Sequence, residues 1–95
     1  MIVGTLKVEF RLHGICSIKE KRSIANSLKQ KLRNKFNVAL AEIDGQDSLQ
    51  SLQLGLVTVS TESKRVQSIL NKALAMIEAI SADEIVDVRT DVFGG

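Results

Sequence analysis

From residue 2 to residue 20 the chain reads IVGTLKVEFRLHGICSIKE, two patterns joined at a glycine. Up to residue 12 the side chains alternate strictly. Ile2, Gly4, Leu6, Val8, Phe10 and Leu12 fall on one face, and Val3, Thr5, Lys7, Glu9 and Arg11 on the other, which predicts a strand with one buried side. His13-Gly14-Ile15-Cys16 breaks the alternation. Ser17 followed three residues later by Glu20 has the spacing of a capping box, which satisfies two free backbone donors at a helix start. The pattern predicts a helix over 18–35 with an apolar stripe of Ile24, Ala25, Leu28, Leu32 and Phe36, and no Pro or Gly interrupts it.

Working outward, 36–44 and 49–60 read as two further strands joined by a connection rich in Asp, Gly, Gln and Ser. Ser60 or Thr61 is placed to cap a second helix, whose stripe is Val66, Ile69, Leu70, Ala73, Leu74, Ile77 and Ile80, ending near Ser81. Residues 85–93 form a last strand, and Gly94-Gly95 a frayed tail. Strand, helix, strand, strand, helix, strand with right-handed crossovers predicts a single α+β domain over 1–95. It is a ferredoxin-like βαββαβ sandwich, with a four-stranded antiparallel sheet of order 4-1-3-2 and both helices on one face. A swapped form of that topology and an open α+β sandwich are the alternatives.

Composition narrows the function classes. The chain has 95 residues, 44% of them hydrophobic and 25% charged, with no proline. A chain of this length buries somewhat more than ~60% of its unfolded surface, enough for one modest core. A single cysteine excludes an internal disulfide, and without a charged-then-apolar leader or a long apolar run a cytoplasmic protein with no membrane contact is expected. Phe10, Phe36 and Phe93 are the only aromatic residues, so base stacking on the sheet in the manner of an RRM is disfavoured.

Charge is lopsided. Residues 1–48 hold 9 basic and 5 acidic groups, and residues 49–95 hold 4 and 6. The first helix carries Lys19, Lys21, Arg22, Lys29, Lys31, Arg33 and Lys35 against Glu20 alone. At ~100° per residue Lys19, Arg22, Asn26, Lys29 and Arg33 share one stripe, set away from the apolar one. Such a stripe suits a phosphate backbone, so Lys19, Arg22, Lys29 and Arg33 are the candidate RNA-binding residues. The plainer reading is a solvated face that keeps the protein soluble. Lys21 stands apart, because its spacing to Ala25, Leu28 and Leu32 puts it on the core side. Either its stem packs on the sheet end, or it joins Ser17 and Arg22 in an anion-binding site at the free N–H groups of the helix start.

Other constellations are weaker. His13 and Cys16 offer two ligands where a zinc site needs four, so no metal or other cofactor is expected, and Cys16 reads as a small buried residue. Glu42, Asp44 and Asp47 fit no calcium loop and read as solvated turn acids. Lys7, Glu9 and Arg11 are expected beside Asp87, Arg89 and Asp91 in cross-strand pairs of mixed sign. The third strand has Leu52, Leu54 and Leu56 on one face and Val57 and Val59 on the other. The second sets Val38 and Leu40 against Ala39, Ala41 and Ile43. Both faces are apolar there, which predicts a homodimer through this part of the sheet.

The segment Ser17-Ile18-Lys19-Glu20-Lys21-Arg22-Ser23, with Phe36-Asn37-Val38, Ala41-Glu42 and Gln46-Asp47 at these distances, resembles the small bacterial YlxP-like family of unknown function over nearly the whole chain. The resemblance implies a ferredoxin-like fold and no established activity. Because that family's genes often lie near those for a translation initiation factor and ribosome-binding factor A, it also implies an RNA or ribosome-associated partner. Acylphosphatases share such a fold and bind phosphate in the first strand-to-helix loop, with Arg22 and Asn37 as the candidates here, but their glycine-rich loop is missing. No nucleophile–base pair or paired catalytic carboxylates are visible. A non-enzymatic interaction module is therefore the leading expectation, with a small-anion-binding protein or acylphosphatase-like hydrolase as the alternative.

Overall fold

The computed structural model describes residues 1–44 and 48–94, the Asp44 side chain excepted. In chain order the elements are β1 (Ile2–Arg11), α1 (Ile18–Lys35), β2 (Ala39–Asp44), β3 (Ser51–Ser60), α2 (Ser63–Ile80) and β4 (Glu84–Gly94). All strand pairs are antiparallel and the sheet order is β2-β3-β1-β4, the expected order read from the other edge. β1 therefore sits inside the sheet, where its even-numbered side chains Leu6, Val8 and Phe10 are buried beneath the helices.

The helix start falls where the spacing places it, with one of the two capping-box bonds formed. Ser17 is the N-cap in extended backbone, and its Oγ accepts the Glu20 N–H at 3.2 Å. Ala25, Leu28 and Leu32 are buried and Ile24 and Phe36 partly so. α2 starts later than expected. Glu62 is its N-cap without a side-chain cap bond, and Ser60 Oγ instead accepts the Glu62 N–H at 3.3 Å, turning the chain into the helix. Val66, Leu70, Ala73 and Ile77 form its buried line.

Two differences at the strands have local causes. β2 begins at Ala39 because residues 36–38 are tied in a turn, Val38 N–H to the Phe36 carbonyl at 3.0 Å, while the Thr58 hydroxyl donates to the Asn37 carbonyl at 3.2 Å. Gly94, expected to fray, belongs to β4 and pairs with Ile2. The expected mixed-sign pairs are not the direct ones. Lys7 stands opposite Arg89, Glu9 opposite Asp87 and Thr5 opposite Asp91, so opposite charges meet only along or diagonally across the strands, as in Arg89 Nε to Asp87 Oδ2 at 3.2 Å. Between Glu9 and Phe10 the register slips, leaving Val86 as an extra residue in β4.

The helices cover the sheet unevenly. α2 packs on β1, β3 and β4, and α1 on β2 and β3. Close approach of α2 depends on Gly4, where a Cβ would stand 2.3 Å from Val66 Cγ1 and 3.1 Å from Leu70 Cδ1. Val66 is β-branched and fully buried, so it cannot swing aside. Gly4→Ala should overpack this contact and lower the thermal unfolding midpoint by roughly 5–20 °C, read by circular dichroism.

Candidate nucleic-acid interface

The basic residues of α1 divide into two flanks. With Ala25, Leu28 and Leu32 pointing inward, Lys19, Arg22, Lys29 and Arg33 lie about 100° around the helix from the core direction. This is the flank nearest the edge strand β2, since Arg33 Nη2 donates to the Leu40 carbonyl at 3.2 Å. Lys19, Arg22 and Arg33 are exposed and Lys29 is half-buried. On the other flank Lys35 borders an open depression of 580 Å³ with Phe36, Lys72 and Met76, and Lys31 borders another of 280 Å³ with Ile24 and Ile80. Cations thus line both flanks of α1 along its whole length.

Arg33 has a task that its spacing did not disclose. Leu40 lies in β2 with its carbonyl turned away from β3, and the guanidinium holds that outward acceptor. The signal could not be read from the sequence, because it depends on β2 being an edge strand beneath this flank.

The three candidate anion-binding residues are differently engaged. Ser17 Oγ accepts the Glu20 N–H, and Lys21 is 3% exposed with its Nζ donating to the Ser48 carbonyl at 2.8 Å. Arg22 is the one member of the three that is exposed. Gln50 Nε2 also donates to the Ile15 carbonyl at 3.1 Å, so residues 48–50 are tied both to the start of α1, through Lys21, and to the β1–α1 connection, through Ile15. Arg22 and Asn37, the acylphosphatase-like pair, stand near opposite ends of α1, about 20 Å apart along its axis at 1.5 Å per residue.

His13 is exposed, with Nε2 at 3.4 Å from Glu84 Oε1. Cys16 is exposed rather than buried: the chain turns through Gly14 at φ +71° and carries it to the surface, where its Sγ lies 3.7 Å from the Gly14 carbonyl. Among the described residues no three His, Cys, Asp or Glu side chains are grouped to hold a metal ion. Asp47 and the Asp44 side chain, two of the three turn acids, lie outside the described residues, as does Gln46. No described helix is long and apolar enough to cross a membrane.

The open face of the sheet has two halves. Val57, Val59 and Phe93 are exposed, with exposed Ala39 opposite Val57 and Val3 between Val59 and Phe93 in the ladder, while exposed Ile43 stands beside Gly55, level with Lys7. Beyond Thr5 the face turns charged, through Lys7, Glu9 and Arg11 and their β4 neighbours. The apolar half therefore extends across all four strands, beyond the second and third alone.

These features define a small ferredoxin-like α+β domain with a cationic helix and an uncovered sheet face. The chain belongs to the family described as protein of unknown function DUF503, whose model matches residues 3–90. Over 92 residues it is 30% identical to the uncharacterized protein YlxP of Bacillus subtilis (strain 168), covering 97% of this chain and all of that one. Among solved structures it is similar to SnoaB, a cofactor-independent oxygenase from Streptomyces nogalater (TM-score 0.53, 12% identity, 100% of this chain and 94% of that one). It is also similar to the de novo designed protein Ferredog-Diesel (TM-score 0.50, 11% identity, 94% of this chain and 83% of that one). At such identities the two structures share the fold with this chain and nothing further.

Lys21 is the buried link in this region. Lys21→Ala should remove both the packed stem and the bond to Ser48, costing about 1–3 kcal/mol and lowering the unfolding midpoint by several degrees or more, measured by differential scanning calorimetry.

Proposed function

We propose that the chain is a non-enzymatic interaction module that binds structured RNA through the α1 flank formed by Lys19, Arg22, Lys29 and Arg33. The observation that carries the reading is how densely α1 is charged: seven basic residues against Glu20 alone, where α2 of the same length has three against Glu78. Cations near a helix C-terminus are favoured by the macrodipole and near the N-terminus opposed by it. Arg33 and Lys35 are in the last turn and fold stability accounts for them. Lys19, exposed in the first turn at the positive end, costs stability, as Lys64 and Arg65 do in the first turn of α2, so end position alone does not single out α1 and the density of its cations does. A row of cations along a helix suits a backbone of phosphates better than a small ligand, which needs a concave site.

A second copy of the chain is the partner assigned to the apolar half of the open sheet face. Exposed Val57, Val59 and Phe93, with Val3 between the last two, form a patch of the kind that marks an interface. Val59→Asp places a charge in the middle of that patch and should reduce the mass of the assembly measured by sedimentation, with the far-ultraviolet spectrum unchanged.

For RNA, the deciding experiment is a titration of a structured RNA at salt concentrations from roughly 50 to 300 mM. Binding should weaken steeply with salt. The combined Lys19→Glu, Arg22→Glu and Lys29→Glu variant should bind at least about tenfold more weakly and flatten the log–log salt slope by about 2 to 3. No binding by the unaltered protein, or equal binding by the folded variant, overturns the reading.

A further inference from the structure

The two edges of the sheet are built differently. β2 has six residues, a register shift after Glu42, and Arg33 seated on the outward Leu40 carbonyl. Short length, a kink and a cation on the edge are devices that keep other strands away. β4 has eleven residues and is regular from Asp87 to Phe93, past the extra residue at Val86.

The direction of its backbone groups follows from the register. Leu12 N–H donates to the Gln50 carbonyl at 2.8 Å, in step with the β1–β3 ladder, so even-numbered residues of β1 aim their backbone groups at β3 and odd-numbered ones at β4. Asp87, Arg89, Asp91 and Phe93 stand opposite odd-numbered residues of β1 and are bonded to them. The N–H and C=O groups of Val88, Thr90 and Val92 consequently point away from the sheet, and no described residue bonds to them. On the helix side of the same strand Val88 is 38% exposed.

We propose that β4 pairs antiparallel with β4 of a second copy of this chain about a two-fold axis at Thr90, making one continuous sheet from two. The sequence of the strand selects this register. Centred on Thr90, each Arg89 faces Asp91 of the partner subunit, and each Val88 faces Val92 of the partner subunit. All three outward residues become hydrogen-bonded pairs, and the pairing stays within the regular segment. Centred on Arg89, like charges would meet, Arg89 on itself and Asp87 on Asp91. Centred on Val88, the pairing would run into the extra residue at Val86 and set Val92 against Glu84. The occupant is thus a strand with this same charge order, which a second copy supplies. Within its own chain Arg89 faces Lys7, a like charge that the partner's Asp91 offsets. The axis is perpendicular to the sheet, so the helices of both copies lie on one side and the two α1 flanks lie at its outer margins. The contact uses the edge and is separate from the open face, so it does not rest on the dimer assigned there.

The test uses the full chain with Cys16→Ser to remove the native exposed thiol. Paired Thr90 residues would have Cα atoms about 5.5 Å apart, within the range a disulfide bridges. Thr90→Cys should therefore give a covalent dimer under mild oxidation. Arg89→Cys, whose two copies would stand ~8 Å apart, should cross-link poorly. Arg89→Asp added to Thr90→Cys should weaken association at least about tenfold, and further adding Asp91→Arg should restore it by reversing both members of each pair. Circular dichroism shows whether each variant is folded. A folded Thr90→Cys protein that does not cross-link, cross-linking as efficient at 89 as at 90, or no rescue by Asp91→Arg overturns the proposal. Val59→Asp leaves the position-90 cross-link in place, so failure of the open-face reading is seen separately.

Discussion

The architecture depends on β1 being hydrogen-bonded on both sides, to β3 and to β4. A central strand has no free backbone groups, and with helices on one face its period-two alternation becomes a division between core and open surface. Leu6, Val8, Phe10 and Leu12 go under the helices, and Val3, Thr5, Lys7, Glu9 and Arg11 stay on the open side. Gly4 sets how closely α2 approaches that central strand. A one-residue slip of β1 would bury Lys7 and Glu9, which holds the register against both neighbours.

The elements whose signals are local were legible in the sequence. α1 is bounded by Ser17 and by the last residue of its apolar stripe, and both signals act within a turn or two of chain. The alternation of β1 and the order of the sheet followed from pattern and the handedness of crossovers. What failed to be legible depends on pairing between distant segments. The direct neighbours Lys7–Arg89 and Glu9–Asp87 are fixed by a ladder register that no local pattern states. The early start expected for β2 failed because Thr58, far along the chain, holds the Asn37 carbonyl. Of the candidate site, the cations of α1 could be read from spacing, and the engagement of Arg33 with Leu40 could not. Lys21 was legible by half: its place on the core side was in the spacing, whereas its bond to Ser48 needed the fold.

The charges of α1 also conflict with its own stability. Lys19 and Arg22 are three residues apart and Lys29 and Arg33 four, and like charges at these spacings destabilise a helix by about 0.2–0.5 kcal/mol per pair. Glu20 is the only acidic residue on α1 to offset them. Solubility does not require such an arrangement, because mixed signs serve it as well. α2 is a helix of the same length in the same layer, and it carries Lys64, Arg65 and Lys72 with Glu78. The comparison within one molecule shows that the fold itself does not call for a strongly cationic helix.

The same comparison within the molecule applies to its edges. A sheet that leaves both edges bare invites indiscriminate pairing, and one that shields both remains monomeric at its margins. Here the shielding falls on β2, where Arg33 spends a hydrogen bond on a carbonyl that water could have satisfied. That bond also holds the side chain of one cation beside the β2 edge, so a single residue serves both the outline of the basic flank and the protection of the strand beneath it. β4 receives no such cover, and its charges are ordered Asp87, Arg89, Asp91 around a central cation. Reading that order backwards gives the same order, so an antiparallel copy shifted by one residue on each strand meets it with opposite signs. Because pairing through the backbone demands register while pairing through side chains supplies it, the two act together on β4 and are absent together from β2.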